Sequence, residues 1–377
     1  MNNKYDSILE KISLPNGIVL KNKLGTAPMS TYSSNPDGSI SDQELNYYKR
    51  RANLGDLFIS GCIAVSKSGL LNSKQFIAYE ESVNDRLKKM AISMKSFGSK
   101  AILQINHAGR RAMGTHEKFG EVLAPSSVEY PSLDELPKEL SEMQIKEIIK
   151  DFGNATKKAI HLGFDGVEIH GANHYLIQQF FSTYSNQRKD EWGGSLQKRM
   201  RFPLAVLEEV QKVVKQEGKD TFIVGYRLSP EEVLDKTIGY TIDETLEMVE
   251  KLIENRIHYI HSSLYGGVDK VALTGNKRSP VNSMIYNKIN KRVPFVVGSN
   301  IFTPADAMKA LEYGDIVVLG REAILDPEWL LKLTQERVEE IVTHVPVDAP
   351  GSLDIPQGMW AQLIDDSNTL PPLPVKE

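Results

Sequence analysis

Residues 168–194 read EIHGANHYLIQQFFSTYSNQRKDEWGG, and the architecture can be worked out from this stretch towards both ends of the chain. Just upstream, Val167 and Ile169 alternate with small or polar residues, a period of two that is typical of a β-strand with two different faces. The strand is therefore predicted to end at His170, and the residues that follow lie where the chain leaves it.

Hydrogen-bonding side chains are concentrated at this strand end. His170 is followed by Asn173, His174 and Tyr175, so ring nitrogens, a carboxamide and a phenol are predicted to meet at one strand mouth. Such a group is suited to bind an oxygen atom, although a single histidine at a strand end is more often structural. Adjacent side chains diverge, so His174 is expected to be structural. Glu168 is expected to point into the barrel and to need a partner or a proton there.

Strand and helix patterns alternate eight times along the chain. The predicted strands are Leu24–Pro28, Leu57–Val65, Ala101–Ile105, Gly166–His170, Phe222–Leu228, Tyr259–Ser263, Phe295–Val297 and Ile316–Leu319. Eight such units favour an α/β fold of the (β/α)₈ TIM-barrel type over a doubly wound sheet. No second-domain boundary is found. We therefore expect one domain over residues 1–377, with the barrel at about 24–343 and a tail at about 344–377.

Helix starts support this alternation. Ser41 with Glu44 and Ser141 with Gln144 are spaced as capping boxes, in which the hydroxyl and the later side chain each bond a free backbone amide of the other residue. Both positions are therefore predicted to begin helices.

Three segments lie outside the repeat. Residues 12–24 are predicted to form a hairpin, with a turn at residues 15–17, that plugs the barrel floor. Residues 107–140 follow the third strand and are expected to lie over the barrel mouth as a loop or lid. The extended tail from Val345 is rich in proline, which cannot continue a helix, and is expected to wrap the surface or a neighbouring subunit.

Composition narrows the possible partners. The formal net charge is −4 and the pI is near 6.1, without blocks of like charge, so nucleic acid and anionic membranes are not expected as partners. Cys62 is the single cysteine, which excludes an internal disulfide and a metal site built on several thiolates; no metal is predicted. With no signal-like or membrane-spanning run, we expect a cytoplasmic protein, and a homo-oligomer is compatible with the tail.

The last two predicted strands are followed by residues suited to a phosphate. In barrels of this type the loops after strands seven and eight often hold one. Here they contain Gly298, Ser299 and Asn300, then Gly320 and Arg321, which offer approachable backbone amides, a hydroxyl and a guanidinium. A glycine at this point is also common in an ordinary tight turn.

Other strand ends carry polar or small residues that a purely structural barrel does not need. Gln104 ends strand three, Arg227 ends strand five, Ser30 follows strand one and Gly61 lies in strand two. A carboxamide and a guanidinium could read a planar heterocycle, and a glycine would let it lie flat. A flavin ring has these requirements.

With these motifs the sequence resembles the old yellow enzyme family of flavin-dependent ene-reductases, from about Leu24 to Pro327. The matching segments, in order, are GTAPMSTY at 25–32, LQINHAGR at 103–110, EIHGANHYL at 168–176, SNQRKDEWGG at 185–194, YRLS at 226–229, GSN at 298–300 and GR at 320–321.

The resemblance implies a role for each matching residue. FMN would be bordered by Pro28, Met29 and Ser30, contacted by Gln104 and Arg227, and held at its phosphate by Gly298, Ser299, Asn300, Gly320 and Arg321. His170 and Asn173 would bind the substrate carbonyl, Tyr175 would donate a proton, and Tyr32 would lie beside the substrate.

The sequence also departs from the family pattern. Ser30 stands where one branch has cysteine and another threonine, which implies that no thiol tunes the flavin. Asn173 replaces a frequent histidine. Some relatives insert an arginine from a neighbour's C-terminal tail, but no residue after Arg337 is arginine.

The resemblance implies an FMN-dependent NAD(P)H oxidoreductase that passes a hydride from flavin N5 to an α,β-unsaturated carbonyl compound while Tyr175 supplies a proton. Three alternatives stay open at this point: a flavin oxidoreductase acting on amines or dienoyl thioesters, a flavin-free phosphosugar lyase or aldolase, and a flavin-binding protein without enzymatic activity. The lyase lacks a clear Schiff-base lysine at strand six, which reads IHSS at 260–263.

Overall fold

The computed structural model describes residues 4–131, 133–275, 279–346, 348–364 and 372–374. Its strands are β1 Ile12–Ser13, β2 Val19–Leu20, β3 Leu24–Thr26, β4 Leu57–Ile59, β5 Ile63–Ala64, β6 Lys100–Asn106, β7 Leu123–Ala124, β8 Lys138–Glu139, β9 Gly166–Gly171, β10 Ile223–Leu228, β11 Glu232–Leu234, β12 Thr237–Tyr240, β13 Tyr259–Ser262, β14 Phe295–Val297 and β15 Ile316–Leu319.

Eight of these strands, all parallel, form a closed barrel within the described residues. The order is β4-β3-β15-β14-β13-β10-β9-β6, and pairing of β4 with β6 closes the ring. Aliphatic residues such as Ile102, Ile223 and Val296 fill the interior, and a second buried layer lies between the strands and the surrounding helices. The predicted (β/α)₈ barrel is therefore confirmed, and each predicted strand overlaps an observed one.

The second barrel strand is interrupted where the sequence predicts one strand over Leu57–Val65. Side chains take over the backbone hydrogen bonds in the break: Ser60 Oγ accepts from the Gln104 amide at 3.1 Å, and the Tyr48 hydroxyl accepts from the Gly61 amide at 3.1 Å. The strand consequently divides into β4 and β5, which both pair with β6.

Helices join the barrel strands. Those described are α1 Asp6–Leu9, α2 Asp42–Arg50, α3 Asn84–Met94, α4 Met113–Phe119, α5 Glu142–His161, α6 Leu176–Phe181, α7 Leu196–Gln216, α8 Ile242–Glu254, α9 Val281–Ile289, α10 Pro304–Ala310, α11 Arg321–Leu325, α12 Trp329–Thr334 and α13 Gln357–Leu363. Complete capping boxes begin α2 at Ser41 and α5 at Ser141, as predicted.

A hairpin of β1 and β2 closes the barrel floor. Ile12 pairs with Leu20 and Ser13 with Val19 in antiparallel register. Leu20 is fully buried and, with Leu14, packs into the aliphatic cluster inside the barrel. The predicted plug is therefore confirmed.

The lid predicted over residues 107–140 has structure of its own. It contains α4 and a small parallel pair of β7 with β8, and Arg111, Met113 and Tyr130 from this segment border the barrel mouth. After β10, a further excursion forms the β11–β12 hairpin, which the sequence did not predict.

The tail was predicted to be extended, but this is wrong for residues 357–363, which form α13. Pro356 precedes the first helical residue, where its missing N–H removes no helical hydrogen bond, and Met359 and Leu363 bury one face of the helix. The tail packs on the barrel through bonds such as Arg51 Nη2 to the Leu353 carbonyl oxygen at 2.8 Å. It thus wraps the surface, the first of the two arrangements expected.

None of the helices in the described part of the chain has the length and apolar character needed to cross a bilayer.

Candidate active site

A cavity of about 470 Å³ opens at the carboxyl ends of the barrel strands. This volume is ordinary for a pocket that holds a cofactor or a substrate. The sequence-predicted residues that line it are Pro28, Met29, Ser30, Tyr32, Gln104, His170, Asn173, Tyr175, Arg227, Gly298, Ser299, Asn300, Gly320 and Arg321. Residues from six separate motifs therefore converge on one site.

Gly61 is the predicted site residue that does not line the cavity. It lies in the break of the second barrel strand, and a Cβ at this position would be 2.5 Å from the Met29 carbonyl oxygen. The glycine is thus required by the close approach of two backbone segments. The next residue, Cys62, lines the cavity instead.

Glu168 is buried beneath the cavity. Its carboxylate accepts hydrogen bonds from Gln104 Nε2 at 2.6 Å and Tyr259 Oη at 3.0 Å, and His261 Nδ1 lies 2.9 Å away. Burial alone would raise its pKa, but His261, Arg227 and the Gln104 amide lower it overall. The prediction that Glu168 points inward and needs a partner is confirmed, and its contacts orient Gln104 and His261.

Arg227 lies at the centre of the cavity wall. It is in register with His170 on one neighbouring strand and His261 on the other, so three side chains from adjacent strands line the site at one level. Its Nε is buried, and no described residue accepts a hydrogen bond from it. Because an unpaired buried N–H is costly, this arrangement points to a bound group as the acceptor.

His170 and Asn173 have acceptor atoms that protein donors already occupy. The Ala172 amide donates to His170 Nδ1 at 3.3 Å, so the proton of the neutral ring is on Nε2. Burial, together with the Arg227 charge, holds the pKa of His170 well below its ordinary value. The Ser263 hydroxyl donates to Asn173 Oδ1 at 2.7 Å. His170 Nε2–H and the Nδ2 hydrogens of Asn173 are therefore available as donors.

A sharp turn after β9 separates two neighbouring side chains. Asn173 and His174 have φ of 57° and 60°, in the left-handed region. The turn places Asn173 in the cavity wall, whereas His174 Nδ1 lies 2.6 Å from Glu232 Oε1, and His174 does not line the cavity. The prediction that His174 is structural agrees with this placement.

Tyr175 lies beside these donors. Its ring packs edge-on against His170, with centroids 4.8 Å apart and an interplanar angle of 89°. Burial raises the pKa of Tyr175, so the phenol stays protonated at neutral pH. The guanidinium carbon of Arg111 lies 5.2 Å from the Tyr175 ring centroid.

The loops after β14 and β15 form one side of the cavity. The described residues that line the cavity include no aspartate or glutamate near Gly298, Ser299 and Asn300. Arg321 adds a positive charge to this side. Arg321 donates to Asn300 Oδ1 and, at 2.9 Å, to the Pro372 carbonyl oxygen in the tail. Small residues, a hydroxyl and a guanidinium at one point suit a phosphate.

Cys62 is a lining residue that the sequence reasoning missed. Burial raises the pKa of the Cys62 thiol to about 11, and the neighbouring Ser30 hydroxyl opposes this rise. The neighbouring strand thus supplies a thiol to the cavity wall, and the expectation that no thiol tunes the flavin stays a prediction. No local pattern at Cys62 indicates this, since its direction depends on the break in the second strand.

Four further lining residues come from connecting segments: Arg111 and Tyr130 from the lid, Tyr265 from the loop after β13, and Gln362 from α13. Arg111 directly follows the LQINHAGR motif, so its position next to a recognised segment was the available signal. Tyr130 belongs to the predicted lid, but nothing in the sequence shows that its side chain reaches the cavity. Tyr265 and Gln362 have no sequence signal, because their placement depends on long-range packing.

Residues 8–340 match the model of the NADH:flavin oxidoreductase / NADH oxidase family. The chain belongs to this family. The resemblance to old yellow enzymes that the motifs predict is thereby confirmed, and the flavin-free lyase and the non-enzymatic flavin binder are both removed as alternatives. FMN is the cofactor of this flavin oxidoreductase family, with NADH or NADPH as electron donor.

Sequence relatives agree with the family, and a solved structure shares the fold. The probable NADH-dependent flavin oxidoreductase YqiG of Bacillus subtilis is 35% identical over 372 residues, which cover 98% of this chain and 99% of that protein. The NADH:fumarate oxidoreductase of Klebsiella pneumoniae is 36% identical over 360 residues, which cover 94% of this chain but 38% of that protein. The old yellow enzyme homologue from Zymomonas mobilis has the same fold, with a TM-score of 0.77, 22% identity and coverage of 93% and 99%.

The residues of the cavity fit FMN. Arg227 presents a buried N–H without a partner, and Gln104 has its amide nitrogen engaged by Glu168, which leaves its oxygen as an acceptor. Arg227 and Gln104 thus offer a donor and an acceptor that suit the flavin ring, and Ser299 and Arg321 offer donors that suit its phosphate.

Proposed function

We propose that this flavin oxidoreductase uses NADH or NADPH to reduce the C=C bond of α,β-unsaturated carbonyl compounds, with the barrel acting as a single FMN-binding domain. Bound FMN supplies the two-electron chemistry between nicotinamide and alkene. The nicotinamide loses a hydride and becomes NAD(P)⁺, Cβ of the acceptor gains that hydride, and Cα gains a proton, so the product is the saturated carbonyl compound.

The observation that supports this proposal most strongly is the pairing at His170 and Asn173. Protein donors occupy His170 Nδ1 and one acceptor position of Asn173 Oδ1, so both side chains have hydrogens to offer to the cavity. Two donors favour an oxygen that becomes more negative as the reaction proceeds, and a comparable donor contributes about 3–4 kcal/mol at other oxyanion sites. In the proposal this oxygen is the carbonyl of the substrate.

Tyr175 is proposed as the acid. Its phenol is protonated at neutral pH because burial raises its pKa, and it lies against His170 on the same wall. A proton can therefore pass from its oxygen to Cα while the carbonyl is held by His170 and Asn173.

The donor pattern also bears on the amine or thioester alternative. An amine substrate brings N–H donors and needs acceptors, whereas His170, Asn173 and Tyr175 present donors to the cavity. A thioester carbonyl is compatible with the pair, so acyl thioesters stay within the proposed chemical class. Fumarate, the acceptor in the name of the Klebsiella relative, is an unsaturated acid of related structure, although this chain covers 38% of that protein.

Stopped-flow measurement of the two half-reactions of Tyr175→Phe tests the proposal. The variant keeps the ring packing, so flavin bleaching by NADH should continue near the wild-type rate. Reoxidation by 2-cyclohexenone should slow by about 10² to 10⁴, because a positioned acid is lost. Reoxidation by molecular oxygen, which needs no protonated carbon, serves as the control and should be largely spared. Normal reoxidation by the enone, or equal slowing of every step, would contradict the role of Tyr175.

A further inference from the structure

The charge of the cavity differs from that of the whole chain. The chain has a formal net charge of −4, yet the described residues that line the cavity include Arg111, Arg227 and Arg321 and no aspartate or glutamate. In the proposed function Arg227 serves the flavin ring and Arg321 its phosphate. Arg111 is left over, and it belongs to the lid.

Arg111 is held in place with donors to spare. Its Nη1 donates to the Asn173 carbonyl oxygen at 2.7 Å, and its guanidinium lies over the Tyr175 ring. In the described part of the chain, no carboxylate pairs with it, and its Nε and Nη2 donate to no protein acceptor. A guanidinium with an unpaired fork suits the two oxygens of a carboxylate.

The neighbouring arginine shows that this placement is specific. Arg110 is buried outside the cavity wall, between the rings of Tyr130 and Tyr184 at 5.3 and 5.0 Å. Arg111 lines the cavity and is only partly buried. The turn at the start of the lid thus directs one of two adjacent cations to packing and the other to the site.

Arg111 also lies next to the proposed carbonyl-binding group. The backbone oxygen of Asn173 accepts the bond from Arg111, while the side chain of the same residue offers Nδ2–H to the cavity. A substrate whose carbonyl is bound by the Asn173 side chain therefore lies next to the guanidinium of Arg111, which still has unpaired donors. We propose that Arg111 binds a carboxylate on the acceptor, so that unsaturated acids and half-esters are preferred over neutral enones and diesters.

This inference rests on the proposed function and names its substrate class. In this proposal Arg111 also has a role beyond binding. An ionised carboxylate withdraws little charge from a conjugated C=C bond, and a guanidinium paired with it offsets part of its negative charge as the enolate forms. Arg111 is thus a specificity-determining residue at the substrate end of the cavity.

Monomethyl and dimethyl fumarate are matched probes, because they share one ester and one C=C bond and differ by a carboxylate. The FMN-loaded wild type should have a higher kcat/KM for the half-ester. Arg111→Gln should lower this value by roughly ten- to hundredfold, mainly through KM, and change the value for the diester by less than about threefold. Arg111→Lys should recover part of the loss. Lys118→Gln, which removes an exposed charge from the same lid, should change neither value.

Binding provides a readout that does not depend on turnover. Titration of the oxidised flavin spectrum should show tighter binding of monomethyl succinate than of dimethyl succinate in the wild type, and no difference in Arg111→Gln. If neither fumarate ester is reduced but this Arg111-dependent difference is present, the proposed reaction fails and the carboxylate site stands.

Three results would overturn the inference. The first is equal affinity of the wild type for monomethyl and dimethyl succinate, a test that needs no variant. The second is an equal loss with both esters, which would make Arg111 a support for Asn173 only. The third is a raised KM for NADH with an unchanged acid-to-ester ratio, which would assign Arg111 to a dinucleotide phosphate.

Discussion

The floor and the mouth of the barrel bury side chains for different purposes. At the floor, Leu14 and Leu20 of the hairpin pack against aliphatic residues such as Ile102, and this packing is complete within the protein. At the mouth, the buried Nε of half-buried Arg227 has no acceptor among the described residues. The packing of the floor is therefore complete within the chain, whereas a buried donor at the mouth needs an acceptor that a ligand can supply.

The backbone shows the same contrast. Towards the floor, left-handed residues such as Arg256 and Asn290 lie where helices end. At the mouth, Tyr32, Asn173 and Asn300 have φ of 50°, 57° and 51° and all line the cavity. Strained backbone at a site is retained where it positions functional groups. The comparison teaches that stability and chemistry should be separable between the two ends.

The largest expected effect is at the floor. Leu20→Ala removes a fully buried side chain from the interior cluster and should lower the free energy of unfolding by about 2–5 kcal/mol. Denaturant unfolding measures this loss. Val19→Ala, on the exposed face of the same strand, is the matched control. A large change in flavin reoxidation kinetics in Leu20→Ala would break the proposed separation of the two ends.

An intermediate effect is expected at the phosphate end of the mouth. Arg321→Ala should weaken FMN binding about ten- to hundredfold, because a charge-assisted pair contributes about 1.5–3 kcal/mol. Titration of the apoprotein with FMN measures the affinity. Arg337→Ala, which lies outside the cavity, should leave it unchanged. An unaltered affinity in Arg321→Ala would remove this residue from the cradle.

The smallest effect concerns Glu322, which is fully buried and has no partner for either oxygen among the described residues. Burial, with Asp326 nearby, raises its pKa from 4.5 to about 9. The folded state keeps the proton that the unfolded chain loses, so the wild type loses stability as pH rises from 4.5 towards 9.

Glu322→Gln should therefore raise the free energy of unfolding at pH 8, because glutamine has no proton to lose. The cost of a buried amide without partners offsets part of this gain, which leaves about 1–2 kcal/mol at pH 8 and less or none at pH 5. The exposed Glu312→Gln is the control. A gain that is equal at the two pH values would show that Glu322 is ionised in the folded protein. Unchanged FMN binding in the variant would sharpen the comparison, because it would separate a buried polar group of the scaffold from those of the cavity.

The sequence predicted the barrel well because its signals are local. Apolar runs such as Phe295–Val297 and Ile316–Leu319 correspond to strands with the same bounds, and the capping boxes at Ser41 and Ser141 begin helices where predicted. Residues at the ends of parallel strands converge for a geometric reason, so His170 and Arg227 could be placed in one site before their contacts were seen.

The parts that sequence did not predict depend on contacts between distant segments. Cys62 lines the cavity and the predicted Gly61 does not, because the second strand breaks against Met29 and Tyr48. Arg111 differs from Arg110 only through a short turn that decides which of them faces the cavity. Spacing along the chain does not encode these directions.

The bond from Arg321 to the Pro372 carbonyl oxygen couples the tail to the cofactor cradle. The tail is also tied back by the Val345 amide to the Pro374 carbonyl oxygen at 2.8 Å and by the Leu373 amide to Leu363 at 3.2 Å. By thermodynamic reciprocity, if FMN binding stabilises the ordered tail, the ordered tail strengthens FMN binding by the same free energy. We therefore expect FMN loading to protect the tail from a protease, a measurement that does not require following the flavin.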